Sequence, residues 1–474
     1  MNKDIRKYVS RYVVPFYYDC ENKGYDKIRG AFLNNEADSV SGLPKDGQWI
    51  KAGFWENYRS DSDSQAEMDI YSYLPSIFSE DLKADGRDDK NLGVSIVYKT
   101  NGKLFELEYR KNDVSISFEC KDLGVLLFRN GIGFIWYETA FKKDISLEQY
   151  VDFQHDFKEL ARTHSDRFSK KTGFDKEKKE AVYEPFCIGS WLAEIISSEK
   201  LGIRFWAERT TEIDGRKINI PDKAVLFQYL FLEKCAVQNS NDILFRVTNG
   251  YDDKYNAPDD LDSMLYKPFG NTCFYISKAG MSCVVVNADS NEVFFDGQFR
   301  EKYIRDYFFI YMLLSYQSYS CAHYSRLLTE LPADEQVFNK KTQYVSKLES
   351  LNSQINLFMV KSVFDSVSNI HHQNGLYRYG KAELCVEEDI QSLTVGLDAL
   401  KDIERGKRDR KVDSALIIFG FMVVVSAWID GLNLIDWFSS NAAAINPWHI
   451  GVSIFIVLLT LYLLIILLWN WRKK

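Results

Sequence analysis

Asp430, Asn433 and Asp436 stand three residues apart where an apolar run closes in the triplet Gly431-Leu432-Asn433. Their side chains are oxygen donors, a chemistry of ions and hydration rather than of bond making. Nothing else in the chain assembles the parts of a reaction. There is no P-loop, HExxH, GxSxG or dinucleotide-binding glycine fingerprint, and Gly131-Ile132-Gly133 belongs to a hairpin turn. Of six histidines only His371 and His372 are adjacent. Neighbouring positions do not converge on one metal, so a loop or helix end is expected there. His155, Asp156 and Glu159 fall on an amphipathic helical pattern and are expected on a solvated face. No catalytic constellation is found, and the chain is not expected to be an enzyme.

The elements that would position the triplet are two apolar runs near the C-terminus. The first reads from Ala415 to Ile429 and continues through Leu434, Ile435, Trp437 and Phe438. The second, Ile450 to Leu468, is almost uninterrupted aliphatic, about the 20 residues a bilayer requires. Trp469, Trp471 and Arg472-Lys473-Lys474 end it as interfacial anchors and charges. Arg405, Lys407, Arg408, Arg410 and Lys411 precede the first run, whereas the loop between the runs holds no Lys or Arg. The positive-inside rule then places both termini in the cytoplasm and a short hairpin outside, in a multi-pass protein of the inner (plasma) membrane. A third apolar stretch, Tyr303 to Leu328, has too short an apolar centre to span and is expected as a buried core helix.

Bulk properties fit a large water-soluble body with a local membrane element. The 474 residues carry 27% charged side chains and a formal charge of -8, with a mean hydropathy of -0.27. That balance argues against a nucleic-acid surface as the main purpose, because phosphate binding needs a concentrated Lys/Arg excess, though it leaves room for local basic patches. Eight cysteines without a CxxC are expected as free thiols in a reducing cytoplasm. The charged N-terminus lacks the apolar core of a signal peptide.

Residues 1–300 read as a mixed α/β domain. Val114, Ile116 and Phe118 alternate with polar neighbours as a half-buried strand does. Leu126 to Trp136 reads as two strands around the Asn130-Gly131 turn. A helix is expected at 146–170, and strands at 10–18, 93–99, 203–207, 243–248 and 272–286. Polar loops are expected at 59–66, 84–91, 169–181 and 251–262. From 301 to 413 the pattern is helical only. Val345, Leu348, Ile355, Val363, Val367 and Ile370 recur at helical spacing, and Val386, Ile390, Leu393, Leu397 and Leu400 repeat at 4-3-4-3. Such a seam marks helices packed side by side. The expected fold is therefore an α+β cytoplasmic domain (1–300), a helical bundle or stalk (301–413), and two C-terminal transmembrane helices (414–438 and 450–471). The external loop is 439–449 and the basic tail 472–474.

With its terminal pair of spans, stalk, Gly431-Leu432-Asn433 and basic tail, the chain resembles the CorA-type metal-ion transporters, the two-span GxN group. The likeness covers residues 340–474, and Lys411 matches the basic residue that often starts the family's pore helix. The resemblance implies a homopentamer whose first span lines a pore. Asn433 would then ring the outer mouth, with Gly431 allowing a tight turn and Asp430 and Asp436 adding acidic rings that concentrate cations. Ser426, Met422 and Ile418 or Phe419 would continue that face inward as a narrow conduit. Leu432 stands where the family usually has Met, Asp430 replaces an aromatic, and the body is enlarged.

These departures resemble the divergent CorA-like effectors found beside type III CRISPR systems. The resemblance implies an antiviral ion channel opened when a nucleotide second messenger, made from S-adenosylmethionine and ATP, binds the cytoplasmic domain. The alternatives are a magnesium, cobalt or zinc transporter regulated by cytoplasmic metal, and a scaffold whose spans only anchor it to the lipid bilayer. Aromatic and basic side chains of the body are the expected ligand contacts, without named positions.

Overall fold

A computed structural model of the protein describes residues 4–19, 24–34, 43–52, 69–71, 74, 92–101, 103–112, 114–161, 167–175, 180–196, 198–213, 215–233, 240–286, 291–333, 341–402 and 420. The chain divides into two compact units, Met1–Ala333 with Ser350–Leu393, and Asp334–Glu349 with Thr394–Lys474. In the second unit the described residues 341–349 and 394–402 are helical, and Lys401 pairs with Asp398 at 3.3 Å.

The first unit is built on one sheet whose strands are β1 (Ile5–Tyr17), β2 (Gln48–Lys51), β3 (Gly93–Lys99), β4 (Phe105–Lys111), β5 (Val114–Phe128), β6 (Ile132–Phe141), β7 (Phe168–Asp175), β8 (Glu180–Pro185), β9 (Arg204–Phe205), β12 (Val225–Leu232), β13 (Tyr266–Phe269), β14 (Thr272–Ser277) and β15 (Gly280–Val285). A separate hairpin holds β10 (Glu208–Ile213) and β11 (Arg216–Pro221). The main path runs β13-β14-β15-β12-β1-β6-β5-β4-β7-β8, with β2 and β3 branching from β5 and β9 from β1. Among the described residues only β12 and β15 pair in parallel. That pairing needs a crossover, which contains the helix Ser240–Asn249.

Central position follows from composition. β1 is buried on both faces from Val9 to Phe16, and apart from Ser10 and Arg11 the buried run carries apolar or aromatic side chains. Its even-numbered face meets the helices Leu147–Phe157 and Ile188–Ile195: Tyr12 lies edge-on to Phe157 at 4.8 Å, and Phe105 of β4 lies edge-on to Trp191 at 4.7 Å. The odd-numbered face meets a long helix, Phe308–Ala333, which is entered through a short helix, Gln298–Lys302, and a π-helical turn, Tyr303–Tyr307. Phe128 stacks on Tyr316 at 4.0 Å, and Phe227 meets Phe308 at 5.0 Å.

A buried polar network fastens the first helix layer. Tyr12 donates to Gln154 Oε1 at 2.5 Å, Gln154 donates to Ser10 Oγ at 3.1 Å, and Gln228 donates to Gln154 Oε1 at 3.3 Å. Complete pairing of this kind makes buried polar groups tolerable and fixes register. The helix Leu147–Phe157 starts at a capping box, Ser146 with Gln149, which satisfies two otherwise orphaned backbone donors.

β5 changes partner along its length. Val114–Cys120 pairs with β4 and Gly124–Phe128 with β3. A bulge between Lys121 and Gly124 makes the switch and places Asp122 at φ 52°.

Several expectations are corrected here. Among the described residues no helix is long and apolar enough to cross a membrane. Phe308–Ala333 is the longest at 26 residues, but Gln317, His323, Arg326 and Glu330 interrupt its apolar start. The fold class with two C-terminal transmembrane helices, the multi-pass inner-membrane placement, and the description as a membrane protein and ion channel are corrected accordingly. The runs 414–438 and 450–471 themselves lie outside the described residues, Gly420 excepted. Residues 243–248 form part of the helix Ser240–Asn249, not a strand: Leu244, Val247 and Thr248 share its buried side, and Asp242 pairs with Arg246 one turn on. The charged segment 169–181 is not a loop; it falls largely in the hairpin β7–β8 at the sheet edge, where charges protect unpaired backbone. The helix expected at 146–170 ends at Phe157.

Candidate functional site

A cavity of about 530 Å³ opens between the odd-numbered face of β1 and the turn that leads into Phe308–Ala333. Its wall takes Arg6, Lys7 and Arg11 from β1, Lys99 from β3, Lys121 and Asp122 from the β5 bulge, and Trp136 and Glu138 from β6. Arg300 and Ile304 close it from the helical side. Six cations line it against three carboxylates, the third being Asp144.

Three interruptions of regular backbone meet at this cavity. One is the irregular register of β1 between Ile5 and Lys7, which turns Arg6. The second is the β5 bulge, and the third is the π turn that contains Ile304. Bulges and π turns re-aim side chains and cluster at functional sites. Gly124 belongs to the same design, since a Cβ there would lie 2.0 Å from the Trp136 ring.

The floor is a buried charge network. Arg11 is 1% exposed; it reaches Glu138 at 3.1 Å, donates to the Ile304 carbonyl at 2.9 Å and lies 4.5 Å over the Phe308 ring. Lys121 meets Glu138 from the other side at 3.0 Å. Burial alone would push the Glu138 carboxyl up, but Arg11 and Lys121 outweigh it and hold it below its ordinary range. The Asp122 side chain is 57% exposed but walled by protein on its remaining sides. That partial desolvation, with Glu138 nearby, moves its carboxyl up.

Around the rim Arg6 pairs with Glu233 at 2.6 Å and Glu292 at 2.5 Å, and Lys7 with Asp296 at 3.5 Å. Among the described residues Lys99 and Arg300 have no ion-pair partner, and Arg300 Nε is buried without an acceptor. Trp136, 3% exposed, supplies a ring, whereas the Tyr98 ring packs on Trp49 in the core of the opposite face. The arrangement offers cations and an aromatic ring but no activated nucleophile, and suits binding of a planar anion. Among the described residues no group of three His, Cys, Asp or Glu is placed to hold a metal.

The residues singled out by sequence lie elsewhere. Asp430, Gly431, Leu432, Asn433, Asp436, Ser426 and Met422 are outside the described residues. His371 and His372 begin the helix His371–Glu383, which is the second of the two placements, loop or helix end, expected of them. His155, Asp156 and Glu159 are not a solvated face. His155 Nδ1 lies 2.9 Å from the Gly250 carbonyl, Asp156 accepts from Arg167 at 2.6 Å, and Glu159 meets Lys223 at 3.3 Å. Six cysteines among the described residues are free thiols. Sequence reasoning gave no residue of the cavity a site role; the signal was a basic side chain at positions 6, 7 and 11 of β1. The chain matches no known family, no curated protein and no solved structure.

Proposed function

We propose that the first unit is a sensor domain that binds a small planar anion, with a nucleotide as the fitting class, in the cavity beneath Phe308–Ala333. The observation that carries this reading is the convergence of two strand irregularities and a π turn on one cationic, ring-lined cavity. A buried network fixes the floor, while Lys99 and Arg300 are left for a ligand's phosphate or carboxylate groups and Trp136 for its ring. Binding would be read out through Arg11, which touches both the floor and the turn that starts the long helix.

The test is calorimetric titration of the full chain with AMP, ATP, the adenylated S-adenosylmethionine messenger and inorganic phosphate, for the wild type and for Lys99→Glu and Arg300→Glu. A charge-assisted hydrogen bond contributes about 1.5–3 kcal/mol and about 1.4 kcal/mol is tenfold. Each variant is therefore expected to bind a nucleotide roughly tenfold or more weakly while melting like the wild type. A folded protein that binds none of the nucleotides, or binds them equally well in both variants, overturns the reading.

A further inference from the structure

A second cavity, of about 340 Å³, lies at the other end of β1. Lys158, Lys223 and Lys278 line it, no carboxylate does, and its rings are those of Trp206, Tyr251 and Tyr319. It shares no lining residue with the first cavity.

Lys158 is the centre. It is 8% exposed, its Nζ donates to the Asn249 carbonyl at 2.6 Å, and it lies 5.2 Å over the Tyr251 ring. Among the described residues no carboxylate is within ion-pair distance of it. The two acids in the neighbourhood are engaged otherwise, Glu159 with Lys223 at 3.3 Å and Asp252 with Lys254 at 3.4 Å. Gly250, at φ 58°, makes room for the lysine stem: a Cβ there would lie 2.5 Å from Lys158 Cδ. A buried ammonium without a counter-ion is costly. Burial, helped by the charge of Lys223, brings its pKa down to about 8. A second polar group is also left open, because Trp206 Nε1 is buried with no acceptor among the described residues.

We propose that this cavity is a second ligand site, for a small phosphorylated planar molecule. The three ammonium groups and the Trp206 N–H hold the phosphate, and the Tyr251 and Trp206 rings hold the planar part. The buried lysine without a counter-ion and the buried indole N–H without an acceptor are the two observations that point to a missing anion, and neither depends on the first cavity.

Pyridoxal 5′-phosphate is the probe, with unphosphorylated pyridoxal as control, on the full chain. The neutral Lys158 amine adds to the aldehyde carbon and water leaves; borohydride then delivers hydride to the imine and fixes a secondary amine for peptide mass spectrometry. The expected result is labelling of Lys158 ahead of all other lysines. It should be at least tenfold faster with the phosphorylated probe and slowed by inorganic phosphate. Lys223→Ala/Lys278→Ala should lose the phosphate advantage but keep the slower pyridoxal reaction, which shows that the fold and the amine are intact. Equal labelling by both probes, or labelling of surface lysines first, overturns the proposal. Nucleotide binding in the first cavity is read separately by the Lys99 and Arg300 variants, so the two readings fail independently.

Discussion

Arg11 donates to the carbonyl oxygen of Ile304 at 2.9 Å across 293 residues of sequence, while its Nε holds Glu138 at 3.1 Å. One side chain on the central strand thus ties the floor of the first cavity to the π turn from which Phe308–Ala333 starts. A ligand anion competing for the Arg11 guanidinium would act on that turn directly. A π turn is a natural place for such coupling, because one turn of helix there holds an extra residue whose register can shift.

Arg11→Met should be strongly destabilising. It leaves Glu138 buried with Lys121 as its remaining ionic partner, and breaking a buried pair costs about 3–5 kcal/mol. Urea denaturation should show a loss near 3 kcal/mol, at the lower end because Lys121 stays. Arg11→Met/Glu138→Met should recover most of it, since no charge is then stranded. A double variant as unstable as the sum of the singles would show that the pair is not coupled.

Asp122 sits at φ 52° in the β5 bulge. The left-handed region costs an ordinary residue about 1–2 kcal/mol, and Asp or Asn less. Asp122→Gly should therefore match or exceed the wild type in urea midpoint, while Asp122→Ala should lose about 1 kcal/mol. Equal midpoints for all three would remove backbone strain as the reason for a small polar residue there.

Much of the architecture can be read from particular residues. Asn130-Gly131 announces the β5–β6 hairpin, and Gly131 takes φ 87° there. Tyr303 to Leu328 has the short apolar centre of a core helix and is buried from Phe308 to Leu314. β12, Val225–Leu232, is harder to read, because a strand buried on both faces has no alternation to show. Ser240–Asn249 misleads for the opposite reason: its apolar residues sit in a run short enough to pass for a strand. The first cavity was illegible because its cations are gathered from three strands and a helix, and no local spacing records that Arg11 meets Ile304. The second was illegible because its signal is a missing partner for Lys158, which only burial reveals.

Glu106 makes part of the stability acid-sensitive. Lys103 lies 3.0 Å away and Lys142 2.5 Å away, with Lys171 at 3.6 Å. Burial pushes its carboxyl up, but Lys142 and Lys103 outweigh it and hold it at about 2, below the ordinary 4.5. A depressed carboxylate contributes stability that is full above the unfolded value and is lost as pH falls through the folded one. The gap in unfolding free energy between wild type and Glu106→Gln should be roughly 1–2 kcal/mol at pH 6, after allowance for solvent screening, and should close as pH falls from 4.5 towards 2. A gap that does not change with pH would assign the loss to packing instead.

Lys158 works in the opposite range. Folded, it releases its proton near pH 8; unfolded, near the ordinary 10.5. Between those values the unfolded chain holds a proton that the folded chain has given up, so this group makes stability rise with pH across that window and leaves it flat outside. Lys158→Met keeps an unbranched apolar stem beside Gly250 and removes the titrating group with its contact over Tyr251. Below pH 8 the variant should be the more stable by about 2 kcal/mol, because a buried unpaired charge has been removed. The advantage should shrink as pH rises from 8 towards 10, which is read as the difference between the two urea curves so that other titrating groups cancel. Saturating phosphorylated ligand should abolish the variant's advantage at pH 7, since the ligand supplies the counter-ion that the wild-type lysine lacks. An advantage that persists unchanged with ligand bound would show that the lysine and the anion do not meet.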